Sequence, residues 1–200
     1  MIKNVVFDFG QVMVKFDPLF ISEKYTENDE DALLLAGVLF DRLYWDRLDI
    51  GSISDDEVIC ECKKRLPDRL HSACENAYYG WVTSIPEIDG MSELVNTVRE
   101  KFGRRVFLLS NISRYFVKNK DSVPSLSLFE KCIFSAEHGT VKPERRIFEI
   151  LLDTCGILPE ETVFIDDSEK NLAGAEAIGI KGILFKGDSA ALEKELEKIL

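Results

Sequence analysis

The sequence predicts an α/β protein: a parallel five-stranded sheet flanked by helices, with an all-helical segment inserted after the first strand. Three observations lead there. Five short apolar runs, bounded by turn residues or by helical patterns, recur along the 200 residues. Helical spacing separates the later runs, as in the βα units that build a parallel sheet. Between the first run and the second, residues 15–85 carry helical periodicity without a strand-like stretch.

Ile2, Val5, Val6 and Phe7 make the first run, nearly continuous in apolar character, as suits a strand buried on both faces; it stops at Asp8. Helical patterns then cover 18–25, 29–40, 41–48, 54–66 and 68–85, broken by Gly51-Ser52 and Pro67. Ser54 followed by Glu57 reads as a capping box. From Glu87 onward a helix to about 102 precedes a strand at 105–109 and a short helix at 113–120. Strands at 131–134, 162–165 and 182–185 alternate with helices at 143–155 and 168–178, and a last helix starts at Ser189. Residues 1–14 and 86–200 thus form the sheet-bearing core, and 15–85 the helical insertion.

Composition narrows the function. An apolar content of 46% supports a substantial core. The net charge of −11 disfavours nucleic acid and anionic membrane as partners, and an anionic substrate unless a cation neutralises the site. Cys60, Cys62, Cys74, Cys132 and Cys155 are odd in number and lack CxxC spacing, so reduced thiols in a cytoplasm are expected rather than disulfides or zinc. No leader pattern opens the chain and no apolar run approaches the ~20 residues of a membrane helix, so a cytoplasmic location is expected. No feature of the sequence assigns an oligomeric state.

Polar residues stand where strands end, the edge at which open α/β sheets bind ligands. Asp8 there can act as nucleophile, metal ligand or both, or make a local turn bond. Ser110-Asn111 closes the second strand with a hydroxyl and backbone N–H groups, able to hold a phosphate oxygen or to cap a helix. Lys142 precedes Pro143, whose ring suits a helix's first turn, placing an ammonium at a helix start or in solvent. Asp166-Asp167-Ser168 ends another strand, with Asn171 one helical turn on. Two adjacent carboxylates near Asp8 repel unless a divalent cation compensates, whereas capping the next helix needs only one.

This order of residues resembles the haloacid dehalogenase-like hydrolase superfamily. Phe7-Asp8-Phe9-Gly10 is similar to its first motif, Leu109-Ser110-Asn111 to the second, Val141-Lys142-Pro143-Glu144 to the third, and Phe164-Ile165-Asp166-Asp167-Ser168 to the fourth. The resemblance implies a Rossmann-like core with a C1-type helical cap at 15–85. It implies a nucleophilic Asp8, phosphate held by Ser110, the N–H of Asn111 and Lys142, and Mg²⁺ held by Asp8, the carbonyl of Gly10 and Asp167, with Asp166 supporting through water. The implied activity is a Mg²⁺-dependent phosphatase acting through an aspartyl-phosphate on a small phosphorylated metabolite. Most phosphatases of the superfamily carry a second Asp two residues after the nucleophile as general acid/base. Here that position is Gly10, as in a smaller bacterial group similar to glucose 1-phosphate-type sugar phosphatases. The Gly predicts slow turnover that favours acidic leaving groups.

Other readings compete. The superfamily's 2-haloacid dehalogenases also lack the second Asp, but they need no metal, and their fourth motif resembles Ser-Asn rather than Asp166-Asp167. Receiver modules share the residue types, yet open with their acidic pair and carry no helical insertion. A non-catalytic phosphate-binding relative would explain Gly10 but not the retention of Asp8, Ser110, Lys142 and Asp167. In the insertion, Trp45 beside Tyr44 is a candidate for stacking on a sugar, with Arg47 nearby, or else for core packing. His138 is a candidate substitute for the missing acid, or a surface histidine; His71 has no motif around it.

Overall fold

The computed structural model describes residues 1–200. Its sheet has the strands β1 (Asn4–Phe7), β2 (Arg105–Ser110), β3 (Lys131–Phe134), β4 (Thr162–Asp166) and β5 (Lys181–Leu184). All pairings are parallel and the spatial order is β3-β2-β1-β4-β5. Phe7 is level with Leu108 on one side and Ile165 on the other, so the carboxyl ends of β1, β2 and β4 stand together. The chain steps outward from β1 to β3 and then returns to β1's other side, which makes the β1/β4 junction the topological switch point.

The core shows why the strands read as unbroken apolar runs. Val5, Phe7, Leu108, Val163 and Ile165 face one cluster of buried side chains, while Val6, Phe107, Leu109 and Phe164 face the other. Alternation along each strand feeds both, so the sheet lies between two helical layers. Over the second face lie the helix Arg145–Cys155, through Ile147, Phe148 and Leu151, and the helix Glu169–Glu176, through Leu172 and Ala175.

In chain order the helices are α1 (Pro18–Glu23), α2 (Asp29–Leu39), α3 (Arg42–Ile50), α4 (Asp55–Arg65) and α5 (His71–Gly80), all between β1 and α6 (Met91–Glu100). Then follow α7 (Arg114–Asn119), α8 (Ser135–His138), α9 (Arg145–Cys155), α10 (Glu169–Glu176) and α11 (Ser189–Leu196). Ser54 and Glu57 exchange the two bonds of a capping box at the start of α4, with Asp55, Asp56 and Glu57 in its first turn and Lys63, Lys64 and Arg65 in its last, in the sense its dipole favours. No helix of the chain is long and apolar enough to cross a membrane.

Several boundaries differ from the sequence reading. The helix expected over 68–85 is a 3₁₀ turn, α5 and a second 3₁₀ turn. Helix α5 ends at Gly80, where the Tyr25 hydroxyl lies in the space a Cβ would occupy. Residues before α6 are extended rather than helical. Val14 bridges Glu87, Lys15 N donates to Pro86 O (2.9 Å) and Ile88 N to Met13 O (2.9 Å), so the two passages between sheet and insertion pair with each other. Pro143 lies outside the first turn of α9, which begins at Arg145; Lys142 sits in the turn before it, and the Lys142–Pro143 peptide is cis. The short helix α8 was not read from the sequence.

The insertion seats on the core through aromatic rings. Trp45 lies 5.3 Å from Phe16 and 5.5 Å from Trp81 between ring centroids, Trp81 stacks on Phe116 at 5.7 Å, and Phe116 meets Phe9 at 5.0 Å. Phe9 directly follows Asp8, so this chain of rings leads from α3 to the end of β1.

Candidate active site

Lys142 is the hub of the site. Its Nζ, almost wholly buried, lies 2.6 Å from Asp8 Oδ1 and 2.7 Å from Asp166 Oδ2. Burial pulls the ammonium's pKa down, but Asp8 and Asp166 together outweigh it and hold the value above that of an ordinary lysine. Burial pushes Asp8 up to about 7, with Asp166 adding to the rise and Lys142 opposing it. Asp8 Oδ1 also accepts from Phe9 N (2.7 Å), leaving Oδ2 with no protein partner. Asp166 is fully buried and accepts from Ser168 N (2.8 Å) and from Asn171 Nδ2 (3.0 Å), so it orders the start of α10 and holds Lys142 at once. Asp167 is exposed as a residue, but its carboxyl is partly shielded from water, and that shielding, with Asp166 next, raises its pKa.

Asn111 fixes the loop that presents the lysine. Its side chain accepts from Lys142 N (2.7 Å) and donates to Lys142 O (3.0 Å), a paired contact that the sequence reading did not foresee. Ser110 is buried at the last position of β2. One carboxylate oxygen from each of Asp8, Asp166 and Asp167 lies within 4.8 Å of the others. Three carboxylates around one ammonium leave an excess of negative charge, and an all-oxygen set of this kind fits a hard divalent cation.

Two chambers meet over these residues. One, of about 310 Å³, is polar and lined by Asp8, Lys142, Ser168, Lys170 and Asn171; the other, of about 170 Å³, is lined largely by Phe9, Phe16, Trp45, Trp81, Ile85 and Ile112. Gly10, Arg42, Asp49, Ser110 and Asn111 border both. A larger surface hollow of about 680 Å³ near Lys15, Glu87 and Ser189 includes none of the clustered carboxylates.

The insertion's contribution differs from the sequence reading in one residue. Trp45 lines the apolar chamber, its Nε1 bonded to Leu39 O (2.6 Å), but Arg47 is exposed and lines neither chamber. The residues that face the site with Trp45 are Arg42 and Asp49, at helical spacings of three and four from it. Adjacency to Trp45 singled out Arg47, whereas a turn of α3 sets residue 47 on another face. That spacing was the available signal. His138 is exposed at the end of α8 and lines neither chamber.

A family model described as haloacid dehalogenase-like hydrolase matches residues 2–179. The chain belongs to the haloacid dehalogenase-like hydrolases. This hydrolase is 26% identical over 197 residues to a D-ribitol-5-phosphate phosphatase from Bacteroides thetaiotaomicron, covering 90% of each chain. It is 24% identical over 202 residues to a sesquiterpene phosphatase from Aspergillus oryzae, covering 99% of this chain and 96% of that one. Among solved structures, a haloacid dehalogenase-family enzyme from B. thetaiotaomicron, in complex with magnesium and inorganic phosphate, superposes with a TM-score of 0.74 at 25% identity. That match covers 96% of this chain and 99% of the other. The Rossmann-like core is that of the family.

Proposed function

We propose that this hydrolase is a Mg²⁺-dependent phosphomonoesterase acting on a small sugar or polyol phosphate, with residues 15–85 serving as its cap. The observation that carries the reading is the convergence of Asp8, Asp166 and Asp167 around a single buried Lys142. Dehalogenation without a metal has no use for such a set, and the phosphatase names of the relatives support the same choice.

Asp8 Oδ2, unbonded at the mouth of β1, is the attacking atom. Lys142, Ser110 Oγ and the N–H of Asn111 would hold the phosphoryl oxygens, while Asp8, the carbonyl of Gly10 and Asp167 would hold the cation, with Asp166 behind them. When bound, the cation would offset the carboxylates and stabilise charge on the phosphoryl group. Phosphate occupies the polar chamber and the carbon skeleton the aromatic one, whose lining, Trp45 and Trp81 included, gives apolar surface to the C–H groups of a sugar or polyol.

Phosphate release from a panel of phosphorylated metabolites, with Mg²⁺ and then with chelator, tests this reading. Release that depends on Mg²⁺ is expected; release that survives chelation, or halide release from 2-haloacids, would overturn it. Asp8→Asn, nearly isosteric, is expected to abolish turnover while keeping the fold. Turnover persisting in that variant would show the nucleophile to be misassigned.

A further inference from the structure

A phosphomonoester bound with phosphate in the polar chamber and carbon in the aromatic one places its bridging oxygen where the chambers meet. That oxygen needs a proton as the P–O bond breaks. At position 10 there is no side chain to give one: a Cβ there would meet nothing within 4 Å, so the space beside the nucleophile is open. Among the residues bordering both chambers, Asp49 is the one with a carboxyl group.

The placement of Asp49 is built into the fold. Its side chain is buried yet takes part in no hydrogen bond or ion pair within the protein. Its backbone carbonyl accepts from Ser135 Oγ (2.6 Å), and the same hydroxyl accepts from Ile112 N (2.9 Å) just beyond the end of β2. Gly51, with φ of 75°, closes α3 two residues later and lies so near α8 that a Cβ would stand 2.7 Å from Ala136 O. The end of α3 is thereby keyed to the core over the site.

We propose that Asp49 is the general acid of this enzyme, supplying from the insertion the proton donor that position 10 lacks. The proposal rests on the phosphatase reading above. In the first step Asp8 Oδ2 forms a bond to phosphorus and the P–O bond to the leaving group breaks. The electron pair goes to that oxygen, and Asp49 delivers its proton there. In the second, the Asp49 carboxylate takes a proton from water as the water oxygen bonds to phosphorus and the bond to Asp8 breaks. Inorganic phosphate leaves and Asp49 is protonated again. The charged groups about Asp49 are Arg42 and Asp46 on its own helix, Lys142 and Asp8 from the core strand ends and loops, and Lys170 from α10. Burial pushes the Asp49 carboxyl up to about 7, with Asp46 assisting and Arg42 and Lys142 opposing, which keeps the acid form available near neutrality.

The test is the dependence of rate on leaving group. In Asp49→Asn with saturating Mg²⁺, primary alkyl phosphates should lose roughly 10² to 10⁴ in kcat/KM, which reports the first step and not the hydrolysis shared by all substrates, and 4-nitrophenyl phosphate less than about tenfold, because its oxygen departs without a proton. Adding Gly10→Asp to that variant should recover alkyl phosphate turnover. Loss of equal size on both substrate types, or no loss on alkyl phosphates, overturns the proposal. In the unsubstituted enzyme kcat/KM should depend weakly on leaving-group pKa at about pH 6 and steeply at about pH 8.5. Equal slopes at the two pH values overturn the proposal even if Asp49→Asn does not fold. An unsubstituted enzyme that releases phosphate from no ester defeats the phosphatase reading itself, and the proposal with it.

Discussion

Asp49→Asn should make the protein more stable, and increasingly so as pH rises. The carboxyl has an ordinary value of 3.8 and a folded value of about 7, raised chiefly by burial. Between those values the folded protein holds a proton that the unfolded chain has released, so stability of the parent falls with rising pH, at about 1.36 kcal/mol per unit. Over about three units the loss sums to roughly 4 kcal/mol, complete above the folded value and absent below the unfolded one. Asparagine is never charged, so the variant escapes this loss, while titrations elsewhere are common to both proteins and cancel in the difference. Urea unfolding at intervals from about pH 4.5 to about pH 8.5 measures it. One cluster of 44 buried residues runs from the sheet into the insertion, which favours a single transition. The two proteins should agree within about 1 kcal/mol at the acid end and diverge in the variant's favour toward pH 7, then run parallel. A difference that does not change with pH would refute the reasoning. A difference that grows in the parent's favour would show a carboxylate stabilised by Arg42 instead.

Lys142→Met should cost about 3–5 kcal/mol, because it strands Asp8 and Asp166 in the interior without their shared partner. Adding Asp8→Asn should return part of that loss in a double-mutant cycle; a loss below about 1 kcal/mol in the single variant would show that the carboxylates are not held by this lysine. Gly51→Ala should lower stability by about 1–2 kcal/mol, as a left-handed residue gains a Cβ that meets Ala136 O and the Arg114 side chain. An unchanged urea midpoint would count against the tight seating of α3 on α8.

The sheet and its chemistry-bearing edge were legible in the order of residues alone. Apolar runs such as Val5-Val6-Phe7 and Val163-Phe164-Ile165 can be buried only on both faces, and each stops at an acidic residue, so Asp8 and Asp166 were legible as strand-end groups without coordinates. The capping box at Ser54 was legible because both partners lie within one turn. What depends on distant neighbours emerged only from the packing of the elements. Helical periodicity marks which side of α3 is apolar but not what it covers, so Arg42 and Asp49 acquired a role only once α3 was seated over Gly10 and Ser110. The raised pKa of Asp49 has the same origin, since burial by groups far away in sequence, not its local sequence, strips its water. A Cβ at residue 80 would meet the hydroxyl of Tyr25, 55 residues earlier, a neighbour that no local pattern announces. Local residue types set which elements form and where polar groups emerge from them; which of those groups meet is set by long-range packing, which leaves no periodic trace in the chain.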